Sequence, residues 1–343
     1  MILFLVLLGS ERAWANGVFL DYARRRIEET LNLQSYGHSQ CCHLCRATKS
    51  GDMAYYNHSA TAPWRAAGAV TFEEYRELAL GNNRRIPYLS IPGFRHTLVA
   101  IDDMHVNDQG FCLRATGSTL VWLCQNGYFG PAPMRLQLIR AHNIYKQWCV
   151  DTKQESRLIQ FTEENLHLGL HKFVFLTGKA ADARHFAGFT YDVIRASGRA
   201  PNVDETEYNL VLGVAWGLRK YYLVEYTTGR WLDDEALLAL QSAAICMLTS
   251  FTAIHVRLGQ PGYFRPKPKD HQLMHLVTHW CEITRINPRF CSNYKNENFV
   301  RLMKRFAATC FWPAPSTSNI FGSSVLDVVC GVDREIFSWF WGP

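Results

Sequence analysis

Four short stretches of this chain carry residues that can hold a metal or move a proton. Cys42-His43-Leu44-Cys45 has the Cys-x-x-Cys spacing of a metal knuckle, with Cys41 beside it and His38 and His58 flanking. Zinc takes four ligands, and no second Cys pair follows at finger-like distance. Either His38 or His58 completes a site, or the thiols are buried and free. His271, His275 and His279 fall at i, i+4 and i+8, along one side of a helix. Two such histidines can chelate a metal, but no HExxH glutamate accompanies them, so a polar or DNA-facing stripe explains them equally well. Asp102-Asp103-Met104-His105 follows the apolar run Leu98-Val99-Ala100-Ile101 directly. A carboxylate and an imidazole three residues apart can converge on a metal or form an acid–base pair; an Asp capping a turn beside a structural His has the same spelling. Glu297 opens a helix crowded with Lys and Arg. It is an i, i+4 partner of Arg301 or, if other carboxylates join it, a metal ligand.

The elements that must position these groups follow from periodicity and punctuation. Gly17 to Asp21 reads as a buried strand ending in an acid, and residues 22–33 as a helix. Residues 36–65 read as a Cys-rich loop. Thr71 to Leu80 reads as a short helix in which Thr71 and Glu74 form a capping box. Leu98–Ile101 reads as a second strand ending in acids. From about residue 110 to 260 the pattern turns helical, with helices expected over 161–178, 181–198, 206–223 and 233–257. The last has Leu237, Leu240, Ala244, Met247, Phe251 and Ile254 at alternating steps of three and four, stopped by Gly259 and Pro261. Further helices are expected near 269–285 and 296–309. Residues 311–343, rich in Ser, Pro and aromatics, suggest no element.

Composition narrows the classes. The 343 residues suffice for one large domain or two modest ones. The net charge of +6 is mild, but residues 261–305 concentrate nine Lys/Arg against three Asp/Glu, a stripe that suits a polyanion or a solvated helix face. Eleven cysteines, an odd number set in apolar contexts, read as reduced intracellular thiols rather than a disulfide framework. Residues 1–15 imitate a secretory signal without its basic start; a buried strand is the alternative. No later apolar run reads as long enough to span a membrane, so none is expected. Serine-elbow, Walker and dinucleotide fingerprints are absent.

Taken in order, these motifs resemble the catalytic region of RNase H-like (DDE-type) cut-and-paste DNA transposases, of the CACTA and Kyakuja–Dileera–Zisupton type and related mobile-element proteins of protists. Asp21 precedes the Cys42-x-x-Cys45 loop, Asp102-Asp103-Met104-His105 supplies an Asp-x-x-His element, and Lys269-Asp270-His271 through His275 resembles the "K-x-H…H" helix. Tyr294-Lys295-Asn296-Glu297, followed by Leu302-Met303-Lys304, resembles the closing Glu motif.

The resemblance implies an α/β fold: a partial RNase H-like core, a short mixed sheet with flanking helices, interrupted by a large helical insertion. Residues 1–110 would be the partial core with its Cys-rich loop at 36–65, and 111–260 the insertion. Residues 261–310 would be the closing helices, with 311–343 a tail. Asp21 and Glu297 would bind Mg²⁺ or Mn²⁺ for phosphoryl transfer, with Asp102 and His105 a supporting pair. Lys295, Arg301, Lys304, Arg305, His271 and His275 would contact DNA, and Cys42 and Cys45 would hold a structural zinc. The location implied is the nucleus. The family's first Asp has no counterpart here, which implies a truncated, inactive relative. The competing readings are a non-catalytic DNA- or protein-binding remnant using residues 261–305, and a secreted protein.

Overall fold

The computed structural model describes residues 39–80, 89, 92–155, 160–169, 173–260, 262–292 and 294. The chain divides after Glu297, and all of these residues belong to the first unit. The expected strand at 17–21, the helices at 22–33 and 296–309, and the tail lie outside them.

The described residues are helical. α1 (Pro63–Ala66) and α2 (Phe72–Leu80) follow the Cys-rich loop. A wide π-helical stretch, Met104–Cys112, runs straight into α3 (Leu113–Gln125). α4 (Met134–Asp151), α5 (Ala180–Ser197), α6 (Glu205–Thr227) and α7 (Asp234–Leu258) follow. α8 (Pro268–His275) continues through a π-helical turn, Leu276–Trp280, into α9 (Cys281–Thr284). Among the described residues β-pairing is limited to isolated bridges such as Cys45 with Ala69 and Trp231 with Ile286.

The expected α/β, RNase H-like core is therefore overturned. Leu98–Ile101 forms no strand: His96–Leu98 is a 3₁₀ turn and Ile101 joins the helical core. A four-residue apolar run fits a strand or a buried turn equally, and among the described residues no neighbouring strand exists to pair with it. The helix expected at 161–178 does not form among the described residues either. Phe173 to Leu176 instead crosses α3 without regular structure, and Leu176 N–H donates to the Leu113 carbonyl at 2.9 Å. Gly117 permits the crossing, since a Cβ there would sit 2.7 Å from the Leu176 nitrogen.

Local chemistry fixes the other helices. In α2, Thr71 N–H donates to Glu74 (2.8 Å) and Glu74 N–H to the Thr71 hydroxyl (3.1 Å), the reciprocal box expected there. Asp204 and Asp233 cap α6 and α7 by accepting from Glu207 N–H and Ala236 N–H. Gly259, at φ +60°, ends α7 in the left-handed conformation. α6 and α7 form a tightly packed pair because Gly217 lies against the Ala243–Met247 turn of α7, where any Cβ would meet atoms at 2.6–2.9 Å. By length and mean hydropathy (1.8 over its most apolar window) α7 could cross a membrane. That corrects the expectation that no such run exists. Its Leu240, Ala244, Met247, Phe251 and Ile254 are buried against neighbouring helices, as in a core helix.

Candidate metal centre

The Cys-rich loop and α8, some 226 residues apart in sequence, meet in the core. Cys42 and Cys45 from the loop and His271 and His275 from α8 place their ligand atoms within 4.8 Å of one another, and all four residues are buried. Among the described residues these are the donors close enough to share one ion. The Cys45 sulfur lies 3.2 Å from Nε2 of both histidines, whose Nε2 atoms are 3.1 Å apart. A tetrahedral zinc with ordinary Zn–S and Zn–N lengths requires edges of roughly 3.3–3.8 Å between its donors. The set is thus almost at coordination distance already, and it fits a Cys₂His₂ ion.

Each donor has local reasons to be there. Cys-x-x-Cys bends the loop so that Leu44 N–H points at the Cys42 sulfur, 3.3 Å away. The Cys45–Ala69 bridge and the Val70 N–H bond to the Leu44 carbonyl (3.0 Å) fix the loop's return. On α8, i, i+4 spacing stacks His271 and His275 on one face. The Tyr55 carbonyl, 3.2 Å from Nδ1 of His271, accepts its proton and leaves Nε2 facing the sulfur as a bare donor. The Trp64 ring meets both imidazoles at 4.5 and 5.6 Å between centroids and closes the site to water. Asp270, buried at the start of α8, accepts from Lys267 N–H (2.8 Å) and is ion-paired with Arg114 of α3. Arg114 also donates to the carbonyls of Gly110 (3.1 Å) and Arg265 (2.7 Å), so the π-helical stretch, α3 and α8 are held in one register.

Protonation favours a soft cation. Burial raises a thiol, but hydrogen bonding with Cys45 and the neighbouring His275 and His271 outweigh it, holding Cys42 well below the usual range. The hydrogen bond to Cys42, with burial, pushes Cys45 well above it. Burial also lowers His275, keeping its imidazole neutral. A thiolate beside the neutral His275 imidazole is the state a zinc-like ion captures, releasing the second thiol's proton on binding. Four protein donors leave no open position for water, so the geometry is that of a structural ion rather than a hydrolytic one.

The knuckle's remaining ligands were expected at His38 or His58, and the structure supplies them from α8. His38 lies outside the described residues. His58 is buried nearby with its pKa pushed down to about 3 by burial, and is not one of the four. The assignment of His271 and His275 to DNA contact is overturned, because both are buried with their nitrogens turned to Cys45 and Tyr55. His279 is half-buried one turn further on, 6.4 Å from His275 between ring centroids. Asp102 and His105 are brought together as a half-buried hydrogen-bonded pair, and neither is one of the four residues of the Cys₂His₂ set. Asp21, Glu297, Lys295, Arg301, Lys304 and Arg305 lie outside the described residues.

One cluster went unread in the sequence. Asp103, Asp108 and Glu225 are buried together where the π-helical stretch meets α6. Tyr221 donates to Asp103 at 2.8 Å, and Tyr222 and Tyr294 each donate to Asp108 at 2.5 Å. Burial raises all three acids, Asp103 to about 7, so they carry protons that Mg²⁺ would have to displace. Glu225 inside the apolar run Tyr221-Tyr222-Leu223-Val224 was the signal available.

Comparison with family models, with curated proteins and with solved structures yields no match.

Proposed function

We propose that this chain is a zinc-clasped helical DNA-binding protein of mobile-element descent. The observation that carries the metal part is the convergence of Cys42, Cys45, His271 and His275 inside one ligand shell. Zinc is the ion of choice, because thiolate and imidazole donors in a closed tetrahedral set disfavour the hard cations. Its role is to join the Cys-rich loop to α8.

The DNA part rests on the order of the motifs. The knuckle and the His-x-x-x-His helix, distant in sequence, are two elements of the transposase resemblance, and they form one centre here. The half-buried Asp102–His105 pair is a third.

Metal content and DNA binding test the two parts separately. The purified chain is expected to hold about one zinc per molecule, lost in Cys42→Ser and His275→Ala. It is also expected to bind duplex or single-stranded DNA with an affinity that falls steeply with salt. A metal-free wild-type protein that folds normally would remove the clasp. Failure to bind any nucleic acid at low salt would remove the DNA reading.

A further inference from the structure

The surface around the C-terminal end of α6 alternates arginines with exposed rings. Tyr226 is 41 % exposed and carries two guanidinium groups over its ring, Arg184 of α5 at 4.5 Å and Arg289 at 4.3 Å from the centroid. Beside it Trp231, 61 % exposed, has the Arg230 guanidinium over its ring at 5.4 Å. Phe290, next to Arg289, is 47 % exposed. Among the described residues none of Arg184, Arg230 and Arg289 forms an ion pair with a carboxylate, whereas neighbouring Arg285 is neutralised by Asp234 at 2.6 Å.

This surface is held rigidly. Asn287 is fully buried beneath it and donates to the carbonyls of Glu225 (3.0 Å) and Gly229 (3.1 Å), satisfying the open end of α6. Its side-chain oxygen accepts from Arg289 N–H at 3.1 Å. The α6–α7 loop is stitched to the same segment by Asn287 N–H to the Arg230 carbonyl (2.9 Å) and Leu232 N–H to the Arg285 carbonyl (2.7 Å). Three exposed rings and three arginines are therefore presented in fixed relative positions, at a cost in exposed apolar area that a surface without a partner does not need.

We propose that this platform binds an unpaired nucleic-acid strand, with Trp231 and Phe290 stacking on bases and Arg184, Arg230 and Arg289 meeting phosphates. Tyr226 acts as the post that aligns two of the guanidinium groups. Flat rings interleaved with cations match the alternation of base and phosphate along a single strand, and every base offers a face to stack on. In a duplex the bases are stacked on each other, and rings of this size reach them only after unpairing. The platform uses none of the residues of α8. It rests on the nucleic-acid reading above, and deepens it to a strand state and a surface.

The test is fluorescence anisotropy of the zinc-loaded full chain with a labelled oligo-dT and with a duplex of equal length. Trp231→Ala and the double variant Arg184→Gln/Arg289→Gln are compared with wild type and with Arg135→Gln on α4. Each variant is first checked for wild-type zinc content and helicity. The expected result is tighter binding of oligo-dT than duplex, weakened about tenfold by Trp231→Ala and by the double variant, and unchanged by Arg135→Gln. Unchanged oligo-dT affinity in both platform variants overturns this proposal and leaves DNA binding intact. A preference for duplex also overturns it, and absence of binding to either probe removes the nucleic-acid reading with it. If Trp231→Ala loses zinc or helicity, Trp231→Phe replaces it, with stacking and near-wild-type affinity expected; affinity as low as that of an unfolded control counts against the platform.

Discussion

Arg114 and Asp270 show how much a single buried pair can be asked to do. The carboxylate at the start of α8 caps the helix that carries His271 and His275, and Arg114 is its counter-charge inside the core. Removing the cation strands a buried charge, which costs about 3–5 kcal/mol, while removing both partners in favour of apolar groups is far cheaper. Arg114→Ala is expected to lower unfolding free energy by about 4 kcal/mol. Arg114→Met/Asp270→Leu should recover much of that in urea denaturation. Equal losses in the single and double variants would mean that α8 is placed by packing alone. The residues with chemistry to offer were readable in the sequence as types: the Cys-x-x-Cys knuckle, the i, i+4 histidines and the Asp102–His105 spacing. Which of them meet was not readable, since a ligand set spanning over two hundred residues has no local signature.

At the scale of elements, the α6–α7 pair and the acid-lined junction with the π-helical stretch carry distinct predictions. Gly217→Ala places a Cβ against the Met247 Cβ at 2.6 Å and the Ala243 carbonyl at 2.7 Å. Helix backbones do not yield that much, so a loss of about 2 kcal/mol is expected in chemical denaturation. The junction is pH-sensitive. Burial raises Asp103 from its ordinary 3.8 to about 7 and raises Asp108 and Glu225 as well. A folded pKa above the unfolded one means the folded state keeps a proton the unfolded chain has released. The stabilisation is full below about pH 4 and is lost as pH rises through the folded values. Thermal melts of wild type should therefore show declining stability between about pH 5 and 7 relative to Asp103→Asn, whose amide cannot ionise. Parallel pH profiles for the two proteins would show that Asp103 is ionised throughout. Most helices between residues 180 and 285 were legible because their caps, glycine stops and three–four stripes are local. The irregular Phe173–Leu176 segment was not, because an apolar run is spelled alike inside a helix and outside one.

At the largest scale, the described residues form a helical core in which a Cys₂His₂ set able to hold a metal joins the Cys-rich loop to α8. The Cys-rich loop has almost no regular structure of its own, and it is fixed by α1, by Trp64 and by the ligands it shares with α8. Metal-binding energy then becomes folding energy for that loop. Chelation by EDTA, or Cys45→Ser, is expected to lower Tm by about 10 °C or more and to expose the loop between residues 39 and 60 to proteolysis first. An unchanged Tm after verified zinc removal would show that packing suffices.

By itself the sequence determined most of the helical segments between residues 180 and 285, the residue types able to bind a soft metal, and the concentration of Lys and Arg over residues 261–305. It pointed to an α/β core because short apolar runs ending in acids are spelled like strands, and to DNA-facing histidines because a stripe on a helix has two directions to face. The tertiary structure decided both. A strand exists only if another pairs with it, and none does among the described residues. A histidine faces inward only if donors wait there, and Cys42 and Cys45 do. Those decisions depend on contacts between distant segments, which local spelling cannot encode.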